Sequence, residues 1–167
     1  MTAGRPPGHP LDSATPGLVA QGVMDLVSRG RGQIPTTLAT SLTWIQGPKR
    51  GTDTLVVLSE AGIAKLLPWE PDGPRVLARR KELIQAAAKD PAVHEALVAL
   101  ENRYKKSVIG TDYRITLPAE LTAHLEISDE PPARAFIVCM DDHLELMSLA
   151  AHNRLLSRSH PALEDLP

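Results

Sequence analysis

Two stretches of this chain repeat one pattern: RGQIPTTLATSL from Arg31 to Leu42 and RITLPAELTAHL from Arg114 to Leu125. In both, an arginine precedes a proline by four residues, and leucines stand at the third and seventh positions after that proline. Arg31, Pro35, Leu38 and Leu42 therefore correspond to Arg114, Pro118, Leu121 and Leu125 at a constant offset. The agreement continues downstream. The first copy runs on into LVVL, the turn-like SEAG and IAKLL, and the second into AFIVCM, DDH and LELMS. Each copy thus offers strand, tight turn and strand, which points to one structural unit used twice.

The local chemistry fills in that unit. Val23 to Val27 is strand-like, and Ser28 through Gly32 is rich in glycine and arginine, as a tight reversal needing positive φ requires. Pro35 and Pro118 suit the first turn of a helix, where the missing amide has no partner to lose. Ile34, Leu38 and Leu42, like Leu117, Leu121 and Leu125, recur every four residues and give each short helix one apolar stripe for a sheet. PWEPDGP, from Pro68 to Pro74, breaks the chain. Beyond it Val76 to Ala88 and Pro91 to Lys106 read as helices, with Asp90 and Pro91 as N-cap and first residue of the second. Val93, Leu97, Leu100 and Tyr104 line one face of that helix, and Glu101 and Lys105 make an i,i+4 pair outside. A last helix is expected from Leu149 to about Ser157.

The expected class is α+β. The expected division is a Pro-rich disordered arm at 1–20, a first module at 21–70, a helical connector at 71–106, a second module with a C-terminal helix at 107–157, and a flexible tail at 158–167.

Composition narrows the function. The chain has 167 residues, 43% of them apolar but only 3% aromatic. Its core must be aliphatic, and it has few rings for stacking unpaired bases, which argues against single-stranded nucleic acid as ligand. The single cysteine, Cys139, lies in an apolar run and reads as a small buried hydrophobe in a reducing compartment. No run approaches the length of a membrane span, so a cytoplasmic protein with no membrane partner is expected. Net charge is −2 but uneven: +2 from Val27 to Glu70, +3 from Pro71 to Lys106, and −6 from Ser107 to Ala150. The first copy and connector are basic, and the second copy is acidic.

No serine-nucleophile elbow, phosphate-binding glycine loop, zinc-protease helix or cysteine pair is present in the sequence, and no cofactor is expected. Asp141, Asp142 and His143 could form an acid/base or metal cluster, but a polar hairpin tip explains them more simply. The basic residues carry more information. Arg29 and Arg31 flank Gly30, Arg114 recurs at the place matching Arg31, and Lys49 and Arg50 follow a Gly-Pro pair. Arginine beside a strand can engage guanine's major-groove edge bidentately, or a phosphate, and a β-ribbon fits that groove. The plainer alternatives are that these are solvated turn charges, or that Arg114 pairs internally with Asp112. Arg79, Arg80, Lys81, Arg103, Lys105 and Lys106 add positive charge suited to a solvated helix face or to nonspecific phosphate contacts.

The string IGTDYRITLPAELTAHLEI followed by FIVCMDDHLELMS resembles the MraZ family, within the wider AbrB/SpoVT swapped-hairpin DNA-binding proteins. The resemblance covers roughly Val23 to Leu156. It implies duplicated swapped-hairpin, double-psi-like β-modules joined by a helical connector, a homo-oligomer (dimer or ring), and a bacterial, nucleoid-associated transcriptional regulator of double-stranded DNA. It implies Arg31 and Arg114 as DNA readers, with Gly30 matching the glycine before the motif arginine. Val27 and Gly110 stand where the family's motif has aspartate, Tyr113 stands at a glycine position, and Ala39 and Thr122 replace a helix arginine. The first copy is therefore expected to face DNA, and the expected DNA-binding residues are Arg29, Gly30, Arg31, Lys49 and Arg50 of that copy together with Arg114 of the second. An antitoxin-like or protein-interaction module using the acidic second copy is the alternative.

Overall fold

A computed structural model describes residues 17–58, 60–128 and 132–157. The proline-rich arm and the tail expected at the two ends lie almost wholly outside them. Among the described residues, eight strands and five α-helices follow in the order β1 (Leu18–Val27), β2 (Arg31–Gln33), α1 (Thr36–Ala39), β3 (Thr52–Leu58), β4 (Ile63–Pro68), α2 (Asp72–Ala87), α3 (Ala92–Arg103), β5 (Tyr104–Ile109), β6 (Arg114–Thr116), α4 (Ala119–His124), β7 (Ala133–Met140), β8 (Leu144–Met147) and α5 (Leu149–Ser157). The class is α+β, as expected.

All eight strands form one antiparallel sheet in the order β5-β3-β4-β8-β7-β1-β2-β6. Its two ends nearly meet, since the Gly110 amide after β5 donates to the Arg114 carbonyl of β6 at 2.7 Å. The hairpins β3–β4 and β7–β8 pair through Ile63↔Met147 to Leu66↔Leu144. The opening strands do not pair with the hairpins of their own halves. β1 runs along β7, from Leu18↔Met140 to Leu26↔Ala133, and β5 runs along β3, from Tyr104↔Val57 to Ile109↔Thr52. Each hairpin is thus completed by a strand from the other half of the same chain.

Alternation along the strands fills the interior. Ala135, Ile137 and Cys139 of β7, Leu144 and Leu146 of β8, and Ala64 and Leu66 of β4 point inward and are fully buried, as the two-residue period of a strand demands. The stripes expected on the short helices close over the same space: Ile34, Leu38 and Leu42 from the first half, and Leu117, Leu121 and Leu125 from the second, are all buried. Pro35 and Pro118 immediately precede α1 and α4, and their carbonyls accept the first helical amides, from Leu38 and Ala39 and from Leu121 and Thr122.

Several boundaries differ from the sequence reading. β1 begins at Leu18 rather than Val23, because pairing with β7 extends it. The basic turn is shorter than expected, Ser28–Gly30, and Arg31 opens a strand. α2 begins within PWEPDGP, at Asp72. α3 stops at Arg103, so Tyr104, Lys105 and Lys106 belong to β5 and not to a helix. The Glu101–Lys105 helix pair therefore does not exist. Glu101 instead receives Arg80 of α2 at 2.9 Å, across the helical hairpin. The N-cap of α3 is Pro91, one residue later than expected, and Asp90 Oδ1 accepts the amide of the first helical residue, Ala92, at 3.0 Å. The α2–α3 hairpin covers the outer face of β3, where it buries Leu55. α5 lies on β7, with His152 stacked on Phe136 at 3.6 Å between centroids.

Candidate nucleic-acid interface

β2 and β6 are only three residues each, yet they bring the matched segments of the two halves side by side. Their antiparallel register is Arg31↔Thr116, Gly32↔Ile115 and Gln33↔Arg114. The ribbon is closed at both ends by equivalent bonds: the Ile34 amide donates to the Tyr113 carbonyl at 2.9 Å, and the Leu117 amide to the Gly30 carbonyl at 2.8 Å. Ile115 points into the core, so by alternation Arg31, Gln33, Arg114 and Thr116 share the outer face, and all four are exposed. Arg31 and Arg114 stand diagonally across this ribbon, at a Cα separation of roughly 7–8 Å for such neighbours. A local two-fold through the Gly32–Ile115 pair relates them.

Each strand of the ribbon is entered through a turn with two consecutive left-handed residues: Arg29 (φ 63) and Gly30 (φ 70) before β2, Asp112 (φ 57) and Tyr113 (φ 59) before β6. Gly30 is buried, and a Cβ there would lie 2.3 Å from the Leu117 carbonyl oxygen. Its role is to let the turn press against the other half of the ribbon, and Arg29 and Arg31 are the groups this turn exposes. Arg31 is oriented by its own turn, with Nε 3.3 Å from the Ser28 carbonyl and Nη2 3.5 Å from Ser28 Oγ. Arg114 does not pair with Asp112, and its guanidinium has no ion-pair or hydrogen-bond partner among the described residues.

Lys49 and Arg50 are exposed in the loop between α1 and β3. That loop lies against the second turn, since the Asp112 amide donates to the Pro48 carbonyl at 2.7 Å. The basic residues singled out in the sequence thus follow the ribbon from end to end: Arg29 at the first turn, Arg31 and Arg114 on its face, and Lys49 and Arg50 beyond the second turn. Asp25, the nearest acid on β1, is bound by Arg134 at 2.9 Å. An open groove runs beside the ribbon, lined by Val23, Val27, Pro35, Arg31, Gln33 and Arg114 among others. Gln33 anchors its Nε2 on the Asp112 carbonyl at 2.9 Å.

Sequence reasoning missed Gln33, Thr116 and Val27. The signal for the first two was the period of two in RGQ and RIT, which only the pairing of the halves turns into one face. The DDH segment is a hairpin tip: His143 Nδ1 is 2.6 Å from Asp142 Oδ1, Nε2 is 3.3 Å from Glu145 Oε1, and Asp141 Oδ2 accepts the Gly17 amide. No metal-binding group of three or more His, Cys, Asp or Glu occurs among the described residues. No helix among them is long and apolar enough to cross a membrane. No family model matches the chain, and no curated protein matches it.

Proposed function

We propose that this chain is a sequence-specific double-stranded DNA-binding protein, a cytoplasmic, nucleoid-associated transcriptional regulator of the MraZ/AbrB type that acts by binding and not by catalysis. The observation that carries the reading is the diagonal pair Arg31 and Arg114 on the exposed face of one β-ribbon. A two-stranded ribbon fits the major groove, and arginine is the side chain best shaped for guanine O6 and N7. Arg29, Lys49 and Arg50 flank the ribbon and supply phosphate contacts that fix register. In fold terms the halves are duplicated swapped-hairpin modules. The exchange of β1 and β5 between hairpins and the matching bonds at the ribbon ends support that description.

Assembly into a dimer or ring is part of the proposal, favoured by Leu77, Ile84 and Val98, which remain exposed on the α2–α3 hairpin. A second reading, an antitoxin-like protein-interaction module, is favoured by the charge of −6 between Ser107 and Ala150. Gel shift against sheared genomic fragments separates the two. Retention that falls with salt and is abolished in the Arg31→Ala/Arg114→Ala protein supports DNA reading; unchanged retention in that variant rules out the assigned readers.

A further inference from the structure

Beyond the guanine contacts, and resting on the DNA-binding reading, we infer that Val27 and Arg31 together form a subsite for a thymine next to a guanine, and that the Arg114 side of the ribbon lacks it. The local two-fold makes the two arginines equivalent in backbone but not in surroundings. Val27 of β1 is the direct cross-strand partner of Arg31, so both side chains project from the same face. It is 54% exposed, and with Val23 and Pro35 it supplies the apolar part of the groove into which Arg31 opens, beside Asp25, which lines the same groove. On the other side the residue bonded to Arg114 is Gly110, which offers no side chain.

The 5-methyl group of thymine is the apolar feature of the major-groove edge, and an aliphatic side chain is what contacts it. With Arg31 on guanine O6 and N7, Val27 reaches a neighbouring base and removes its methyl from water. Arg114 has Gln33 as its direct cross-strand partner, a polar amide in place of a methyl-binding aliphatic group. The pseudo-symmetric ribbon therefore reads an asymmetric site and binds duplex in one orientation.

Deoxyuridine tests this, because it removes the methyl and nothing else. Duplexes retained by the full chain from a randomised pool are resynthesised with each thymine replaced in turn, and affinity is followed by fluorescence anisotropy. One thymine adjacent to a required guanine is expected to lose about fourfold, the worth of one buried methyl-sized group, and that loss should disappear in Val27→Ala. Gly110→Val, whose Cβ has ordinary room at 3.4 Å from the Arg114 carbonyl, should make a second thymine position methyl-sensitive. Retained duplexes with no sensitive thymine, or equal sensitivity in Val27→Ala, overturn the subsite while leaving DNA binding intact. If the pool yields no retained duplex, the DNA reading itself fails and the subsite with it.

Discussion

Replacing Gly30 by alanine tests how the two halves are held together. Gly30 has φ 70, and its missing Cβ would lie 2.3 Å from the Leu117 carbonyl oxygen, a backbone atom of the other half that cannot swing aside. The left-handed conformation costs a residue with a Cβ about 1–2 kcal/mol. Relieving the clash requires the ribbon end to open, which lengthens the 2.8 Å bond from the Leu117 amide to the Gly30 carbonyl, worth about 1 kcal/mol. The total is about 2–3 kcal/mol, or a melting midpoint lowered by roughly 4–12 °C for a chain of this size. Asp112→Gly is the control. Asp112 has the same left-handed backbone, φ 57, at an exposed position, so relief of strain and greater freedom of the unfolded chain nearly cancel, leaving a change of about 0.5 kcal/mol or less. Thermal and urea unfolding followed by circular dichroism measure both. A Gly30→Ala protein that melts with the wild type would refute the close approach of the two halves.

Phosphate contacts by Lys49 and Arg50 predict that the Lys49→Ala/Arg50→Ala protein binds DNA with a slope of log affinity against log salt shallower by about 2, measured by anisotropy at several salt concentrations. Cys139 is buried, and desolvation raises its thiol pKa despite the opposing hydrogen bond to Ser41. A thiol reagent at mildly alkaline pH should therefore leave it untouched in the native protein and modify it on unfolding. Because the folded pKa is the higher one, the thiol's contribution to stability is whole below the unfolded pKa, near 9.0. It diminishes as pH rises from there through the folded value, which urea unfolding across alkaline pH would register. Leu125→Ala should cost about 2–5 kcal/mol at a fully buried position, whereas Asp25→Ala, breaking an exposed pair with Arg134, should cost about 1 kcal/mol or less.

The sequence made the short helices and hairpins legible because their signals are local: a proline at the first turn, leucines every four residues, and polar tips between apolar runs. It misled at Tyr104, which continues the helical spacing of Val93, Leu97 and Leu100 but is drawn into a strand by pairing with Val57 of β3. The start of β1 is illegible locally for the same reason, since the partner that holds Leu18 to Gln21 in extended form is more than a hundred residues away. The candidate site was half visible. Composition and position flagged Arg29, Arg31, Arg114, Lys49 and Arg50, but three-residue strands carry too little pattern to reveal their register. That register is what brings Arg31 and Arg114 to one face and places Val27 beside only one of them.

Guanine-specific methylation interference is the most direct test of the account. Methyl groups placed on N7 block the major-groove edge that Arg31 and Arg114 are assigned to read, without altering the minor groove. On a duplex selected by the wild-type chain, interference is predicted at separate guanines, one set vanishing in Arg31→Ala and the other in Arg114→Ala. Interference at no guanine, or a pattern the two substitutions leave unchanged, would contradict a ribbon seated in the major groove.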